Sequence, residues 1–203
     1  LSADSLDVSN FSTFVGKSIF GNITGYASIT GDLDNVSVTG SITSPEIIYD
    51  GAHFNSINAG FTIKDHVLAL ENASIGDGDG AITIGGTLNL DSNALNMRAR
   101  AKAVRIENLI RPFTDIPLTG WFESENEIRG TVDNPYVHGY AHLYDGSYSG
   151  KLISDAKFDY TLDNQILTLP DFTVQGYGAV IRGSGTASES SLNIDLDGKN
   201  IDI

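Results

Sequence analysis

The chain has 203 residues, of which 40% are hydrophobic and 19% charged, a composition that excludes both a disordered segment and a membrane-spanning bundle. Its net charge of −14 argues against a nucleic-acid partner, because phosphate backbones are bound by basic patches. The absence of cysteine excludes disulfides, thiolate catalysis and cysteine metal ligands.

The first predicted element is a single helical turn over residues 9–15, with Ser9 as its cap. Beyond it, apolar and polar residues alternate with period two, which predicts strands that turn one face to an apolar environment. Turn signals separate these runs, namely Asp50-Gly51, Asp77-Gly78, Asp79-Gly80, Asp145-Gly146 and Asp163-Asn164. We therefore predict strands of about six residues, roughly eight per repeat unit, in a largely antiparallel meander.

The alternating runs define a one-sided apolar lining. Its predicted members are Val36, Val38, Phe61, Ile63, Ile82, Ile84, Leu88, Leu90, Leu95, Met97, Phe158, Tyr160, Leu162, Leu167, Leu169, Phe172, Val174, Leu192, Ile194 and Leu196.

A second helical turn is predicted at residues 107–111, stopped by Pro112, and the sequence around it repeats what came before. Gly31-Asp-Leu-Asp-Asn35 with Gly40 recurs 99 residues later as Gly130-Thr-Val-Asp-Asn134 with Gly139. Tyr49-Asp50-Gly51 recurs as Tyr144-Asp145-Gly146. Self-similarity at a fixed period indicates a repeat architecture. We predict two units, residues 1–104 and 105–203, in one continuous fragment of a longer protein whose third unit begins near residue 197.

No motif for catalysis, cofactor binding or metal binding stands out, so we predict no enzyme, no cofactor and no metal. His138 and His142 lie four residues apart, which in a strand separates them by about 13 Å, too far to share a metal. The run of residues 76–80 has the composition of a calcium loop, but a hairpin tip explains it better. Acidic pairs such as Glu123/Glu125 and Asp32/Asp34 are typical of solvated strand faces.

Trp121 and Phe122 form the one large aromatic pair outside the alternation, and we expect them to pack the short helix on the sheet. The apolar lining itself has two interpretations. It is either the closed interior of a sandwich or solenoid, or an open groove for a greasy ligand. Mid-sized aliphatic side chains and glycines at strand starts favour the groove.

The ordered series from Gly130 to Gly139, then Leu143-Tyr-Asp-Gly146, residues 158–169 and residues 176–183, resembles the repeated C-terminal region of the TamB family, within the AsmA-like group of bacterial envelope proteins. The resemblance covers the whole chain in two copies. The first copy departs from it where Asn35 is followed by Val36 and not by proline.

The resemblance implies an all-β, elongated, U-shaped (taco-like) sheet with an apolar interior and two short helical turns. It implies a periplasmic location in a diderm bacterium, with an N-terminal anchor in the inner membrane. It further implies a phospholipid or other acyl-chain ligand, a role in outer-membrane protein assembly, and a barrel partner of the TamA/BamA type. A structural or adhesive β-repeat stalk with a closed core is the alternative.

Overall fold

A computed structural model describes residues 1–32 and 35–200, and for Phe11, Phe14 and Val15 the backbone alone. Strands account for 73% of the chain and form one curved antiparallel sheet that does not close on itself. The predicted fold class is therefore confirmed. Leu33, Asp34 and residues 201–203 lie outside the described residues, and with them the middle of the first glycine turn, the acidic pair Asp32/Asp34 and most of the predicted start of a third unit.

The strands of the first half are β1 (Ser2–Asp7), β2 (Ile19–Thr30), β3 (Ser37–Ser44), β4 (Ile47–Tyr49), β5 (Ala52–Phe54), β6 (Ser56–Lys64), β7 (Val67–Asp77), β8 (Gly80–Asn89) and β9 (Ala94–Arg105). Those of the second half are β10 (Leu118–Thr131), β11 (Pro135–Tyr148), β12 (Lys151–Asp163), β13 (Ile166–Gly176), β14 (Ala179–Ala187) and β15 (Leu192–Lys199). Two helical segments precede β2 and β10: a 3₁₀ turn (Val8–Phe11) continued by α1 (Ser12–Val15), and α2 (Ile106–Ile110).

Neighbouring strands follow the chain order from β6 to β15, so most of the sheet is a meander. The first strands depart from it, because β2 pairs with β3 along one part of its length and with β4 along another. Strand β5 then pairs with β4, and β1 lies along β2.

Elements of the two halves recur at the spacing seen in the sequence. Strand β2 begins at Ile19 and β10 at Leu118, and Gly21 and Gly120 both have φ near +136°. Strands β7 and β13 likewise begin at Val67 and Ile166. The repeat is therefore carried by backbone geometry as well as by sequence.

One predicted turn is wrong. Asp145-Gly146 lies inside β11, where these two residues oppose the single residue Gly120 of β10. Asp145 has φ +47°, so the pair forms a β-bulge that bends the strand without ending it. The hairpin turn falls at Ser149-Gly150, 99 residues after Asp50-Gly51, and both turns have two residues of positive φ. The Tyr-Asp-Gly echo in the sequence is therefore not a structural equivalence.

Strand length and number also differ from the prediction. Strands β10 and β11 have 14 residues each, more than twice the predicted length. Residues 105–203 hold six strands among those described, not eight. The reason is that bulges absorb the irregular residues that resemble turns in the sequence, so hydrogen-bonded pairing continues past them.

Both helical segments form where they were predicted, but the first has a different cap. The Asp7 carboxylate accepts a hydrogen bond from the backbone N–H of Ser9 at 2.8 Å. The N-cap residue is therefore Asp7 and not Ser9. Segment α2 ends at Ile110 with Arg111 as its C-cap, directly before Pro112.

The described part of the sheet has no conventional closed core. Its accessible surface is 12653 Å², whereas a compact monomer of 21.6 kDa exposes about 9,200 Å². Among the described residues, Val104 is the largest side chain that is fully buried, and six of the eleven buried hydrophobic residues are alanines. Most large aliphatic side chains are only half-buried, so they line a surface instead of filling an interior.

Candidate functional site

The apolar side chains form continuous rows across the strands on one face of the sheet, which we call the apolar face. Residues directly opposite each other in a ladder point to the same face. One row runs from β2 to β9 through Ile29, Val38, Ile63, Leu68, Leu88 and Leu95. A second runs from β9 to β15 through Met97, Ile128, Val137, Leu162, Leu167, Ala187 and Leu192. The apolar face therefore extends over nearly the whole sheet.

All but two of the predicted lining residues belong to strands that contribute to the apolar face. Val36 precedes β3 and Leu90 follows β8, and both are exposed. The others belong to strands β3, β6, β8, β9, β12, β13 and β15. Whether any of them contacts a lipid stays a prediction.

Part of the apolar face is deepened into a trough of about 420 Å³ between β10 and β15. Its lining side chains are Phe122, Ala141, Ala156, Phe158, Tyr160, Leu167, Leu169, Phe172, Val174 and Ile194. Nine of the ten carry only carbon and hydrogen, so the trough offers a ligand contacts with hydrocarbon and little else. We call this site the β10–β15 trough.

Glycines let aromatic rings lie across neighbouring strands and form the walls of the trough. A Cβ at Gly183 would lie 2.7 Å from Cζ of Phe172, on the neighbouring strand. A Cβ at Gly139 would lie 3.1 Å from Cζ of Tyr160. Each ring therefore occupies space that any other residue would fill, an arrangement known for glycines in designed sheets as well.

A short polar series interrupts the apolar face beside the trough. The Tyr160 hydroxyl donates a hydrogen bond to Oδ1 of Asn126, and Nδ2 of Asn126 donates to Oγ of Ser124 at 3.1 Å. This series spans from β12 to β10 across Gly139 of β11. Burial raises the pKa of Tyr160, so its hydroxyl stays protonated and acts as the donor. We call Ser124, Asn126 and Tyr160 the polar bar.

Sequence reasoning missed three residues of the trough, namely Phe122, Ala141 and Ala156. Phe122 was interpreted as a helix contact, and the two alanines are too small to stand out in a pattern of large hydrophobic residues. The alternation itself could have identified the two alanines, since Ala141 lies two residues from Leu143 and Ala156 two residues from Phe158.

Segment α2 packs against the apolar face next to the trough. Ile106 of α2 is buried together with Leu143 and Ala156, and Phe122 packs against this cluster. The predicted helix contact of Phe122 is therefore confirmed. Trp121 has a different role, because its ring stacks under the Arg105 guanidinium, 5.1 Å from the ring centroid.

The opposite face of the same strands is polar and charged. Arg98 pairs with Glu127 at 3.3 Å and Arg100 with Glu125 at 3.0 Å, both across β9 and β10. Such exposed pairs contribute little to stability and are typical of a solvated face.

A more enclosed ion pair lies on β11 and β12 of the polar face. Nε2 of His142 lies 2.8 Å from Oδ2 of Asp155, which also accepts from Lys157 at 3.0 Å. Burial by itself raises the pKa of Asp155, but the hydrogen bonds from Lys157 and His142 outweigh it and hold the pKa below its ordinary value. His142 is thus engaged by a carboxylate, and His138 lies within 3.4 Å of the Thr161 hydroxyl.

The described residues hold no group of three or more side chains that could bind a metal ion. Residues 76–80 form the tip of the β7–β8 hairpin, as predicted. Asp77 is buried there, where its carboxylate accepts hydrogen bonds from the backbone N–H of Arg105 and from Nδ2 of Asn108 at 2.8 Å.

Comparison with known proteins leaves the site to be interpreted from its own geometry. No protein-family model, curated protein or solved structure matches the chain. In the described part of the chain, no helix is both long enough and apolar enough to cross a bilayer.

Proposed function

We propose that this chain is a segment of an open apolar β-groove that shields and conducts the acyl chains of phospholipids. The acyl chains lie along the apolar face, and their headgroups stay at the open side of the groove. No chemical step is involved, so the activity is binding and passage and not catalysis.

The observation that carries the proposal is an apolar face that extends over the sheet and, outside the part that α2 covers, remains uncovered in the described structure. Large exposed apolar surfaces on a protein in water mark places that bind lipid, protein or a small apolar ligand. Each buried CH₂ group contributes about 0.8 kcal/mol, so one acyl chain can be held without a specific polar contact. A surface without strong individual sites also suits passage, because tight binding at one point would stop transport.

The competing function is a structural or adhesive stalk. A stalk should bury its large aliphatic residues in a dry core, as stacked repeats do. The surface excess of the sheet and its half-buried leucines and isoleucines argue against this function. The stalk stays the second candidate because side-by-side repeats of this kind can also serve as spacers.

The wider setting of the proposal comes from the TamB resemblance. It comprises a periplasmic location, an inner-membrane anchor outside these residues, support of outer-membrane protein assembly and a barrel partner of the TamA/BamA type. These elements accompany the proposal and depend on the same groove.

The direct test is the lipid content of the gently purified protein. Organic extracts analysed by mass spectrometry should contain phospholipid or detergent, and a fluorescent fatty acid should bind the emptied protein. Protein free of lipid that also ignores the fluorescent fatty acid would rule out the groove.

A charge in the trough should weaken binding without unfolding the sheet. Leu169 lines the β10–β15 trough and is half-buried, so Leu169→Asp places a carboxylate where an acyl chain would lie. We expect at least a tenfold loss of fluorescent fatty-acid affinity, since an ion is strongly disfavoured beside hydrocarbon.

Thr186→Asp is the matched control for Leu169→Asp. Thr186 is exposed and pairs with Thr168, so it lies on the polar face of β14. The Thr186→Asp variant should bind the fluorescent fatty acid as tightly as the unmodified protein does. Equal losses in both variants, or unfolding of the Leu169 variant by circular dichroism, would favour the stalk.

A further inference from the structure

We infer that the polar bar (Ser124, Asn126 and Tyr160) is a hydrogen-bonding subsite for a hydroxyl group on the bound hydrocarbon chain, so that the groove distinguishes hydroxylated acyl chains from plain ones. The inference rests on the proposed function and adds a specificity determinant to it. Its ligand class is a linear acyl chain that carries a hydroxyl group between its two ends.

The bar flanks the path of a bound chain and leaves that path open. An apolar row leaves the β10–β15 trough at Leu167 and continues through Leu162, Val137, Ile128 and Met97. A chain that extends from the trough towards β9 can therefore follow aliphatic side chains all the way.

The polar groups of the bar occupy the row next to this path. Asn126 is two residues from Ile128 on β10, and Tyr160 is two residues from Leu162 on β12. Side chains two residues apart in a strand point to the same face and lie about 7 Å from each other. A chain between the two rows thus has aliphatic side chains on one flank and the polar bar on the other.

The trough itself approaches the bar from the other side. Tyr160 is one of the side chains that line the trough. Ser124 pairs with Ala141, which also lines it. A chain in the trough and a chain in the apolar row therefore both come alongside the same polar groups.

Gly139 keeps these polar groups accessible from the path. A Cβ at this position would lie 2.2 Å from Oδ1 of Asn126 and 3.1 Å from Cζ of Tyr160, so the two side chains meet directly above the glycine. Val137 is the next residue of β11 on the same face. A chain in contact with Val137 therefore has the amide and the phenol at its side, with no side chain of β11 between them.

The bar has hydrogen-bonding groups to spare, of both kinds. An amide has two N–H donors and an acceptor oxygen with two lone pairs, and the hydrogen bonds with Tyr160 and Ser124 use one donor and one lone pair of Asn126. A donor and an acceptor site therefore remain on one side chain. An ester carbonyl only accepts and an ammonium group only donates, whereas a hydroxyl group does both. A hydroxyl group is thus the partner that matches the bar.

The same groups make a plain chain the poorer ligand at this point. They are solvated while the groove is empty, because Asn126 is half-exposed. A plain chain that covers them removes water and supplies no partner, which weakens its binding. A hydroxyl group in the same place replaces the lost water with hydrogen bonds. Elsewhere on the apolar face a hydroxyl group loses its own water without compensation, so the preference belongs to the bar alone.

The first half of the chain has the same arrangement without the polar groups. Gly40 lies 99 residues before Gly139, and a Cβ there would lie 2.7 Å from Cζ of Phe61, which stands 99 residues before Tyr160. Asn126 corresponds to Ala27, which pairs with Gly40 as Asn126 pairs with Gly139. The ring over the glycine is thus a feature of the fold, while the hydroxyl and the amide are additions specific to the second half.

This correspondence supplies the test variant. Asn126→Ala combined with Tyr160→Phe installs the side chains found at Ala27 and Phe61, so the sheet already accommodates them once. Asn96→Ala combined with Tyr140→Phe makes the same two changes on the polar face, where Asn96 pairs with Arg129 and Tyr140 with Glu125. Circular dichroism and urea midpoints should establish that both variants fold.

The measurement is the affinity of the full chain for octadecanoic acid and for a series of its monohydroxy derivatives, by displacement of a fluorescent fatty acid. The hydroxyl group moves along the chain from one derivative to the next. For the unmodified protein and the polar-face variant we expect at least one derivative to bind about two- to tenfold more tightly than octadecanoic acid. For the Asn126/Tyr160 variant we expect every derivative to bind more weakly than octadecanoic acid, because no polar group remains to receive the hydroxyl.

Two outcomes overturn the inference while the proposed function survives. One is that octadecanoic acid binds the unmodified protein more tightly than every hydroxylated derivative does. The other is that the Asn126/Tyr160 variant keeps the preference of the unmodified protein. Absence of binding of all these acids to all three proteins overturns the proposed function itself. If the double variant fails to fold, Asn126→Ala alone serves as the test, because it removes the amide whose donor and acceptor the hydroxyl group needs.

Discussion

At the residue scale, Gly139 permits the crossing on which the polar bar depends. It is buried on β11 between Asn126 of β10 and Tyr160 of β12, whose side chains meet above it. A Cβ at this position would lie 2.2 Å from Oδ1 of Asn126 and 2.9 Å from the backbone oxygen of Glu125. The absence of a side chain therefore determines which residues of two non-adjacent strands can touch.

Gly139→Ala should destabilise the protein by about 1–3 kcal/mol, because an added methyl group forces its neighbours apart. The control is Gly60→Ala on β6, where the nearest atom to an added Cβ is the Glu71 oxygen at 3.7 Å. Urea unfolding followed by circular dichroism measures both. A midpoint for Gly139→Ala as high as that for Gly60→Ala would contradict the crowding.

At the element scale, both ends of α2 are held by hydrogen bonds to the first half of the chain. Its N-cap residue, Arg105, makes no side-chain capping bond. The cap is supplied by Asp77 of β7, which accepts from the backbone N–H of Arg105 and from Asn108. Nη1 of Arg111, at the other end, donates to the Gly51 oxygen at 3.0 Å. Five residues are too few for a stable isolated helix, so these hydrogen bonds maintain it together with the burial of Ile106.

Asp77→Ala should therefore loosen α2 and lower stability by about 1–3 kcal/mol, since it leaves the partly buried N–H of Arg105 without its acceptor. Hydrogen exchange of residues 106–110 should accelerate with it. Asp79→Ala is the control, because Asp79 lies in the same hairpin but is exposed. Slow exchange of α2 in the Asp77 variant would show that other contacts suffice to hold the helix.

At the scale of the whole molecule, the sheet is large and open. Fifteen strands exceed the size at which most open sheets curl or split into two packed layers. This sheet remains a single curved layer that does not close, and outside the part that α2 covers its apolar face is uncovered among the described residues. A folded state with so much accessible apolar surface should behave unlike a compact monomer in solution.

We expect the native protein to bind the dye ANS strongly while its near-UV circular dichroism still reports ordered packing around Trp121. Emission should fall when a saturated fatty acid is added and fall again when urea unfolds the sheet. Weak native emission that rises in urea, as for a protein with a closed core, would contradict the open face.

The fold could be predicted from the sequence to a large extent, and the site only in part. Alternation of apolar and polar residues identified Leu167, Leu169 and Phe172 as members of one face, because side chains in strands alternate whatever the partner strand is. The same reasoning misjudged Asp145-Gly146, since a bulge and a hairpin turn use the same residue types. It overlooked Ala141, because the contribution of this residue to the trough is the space that its small side chain leaves open.

By itself, then, the sequence determined the antiparallel meander, the repeat and the side of each strand that is apolar, because these follow from local periodicity and short connections. Only the tertiary structure decided that the sheet stays open, that a trough forms between β10 and β15, and that Tyr160 reaches Asn126, 34 residues away. These features depend on sheet curvature and on which side chains meet across a third strand. No local pattern of residues encodes either of them.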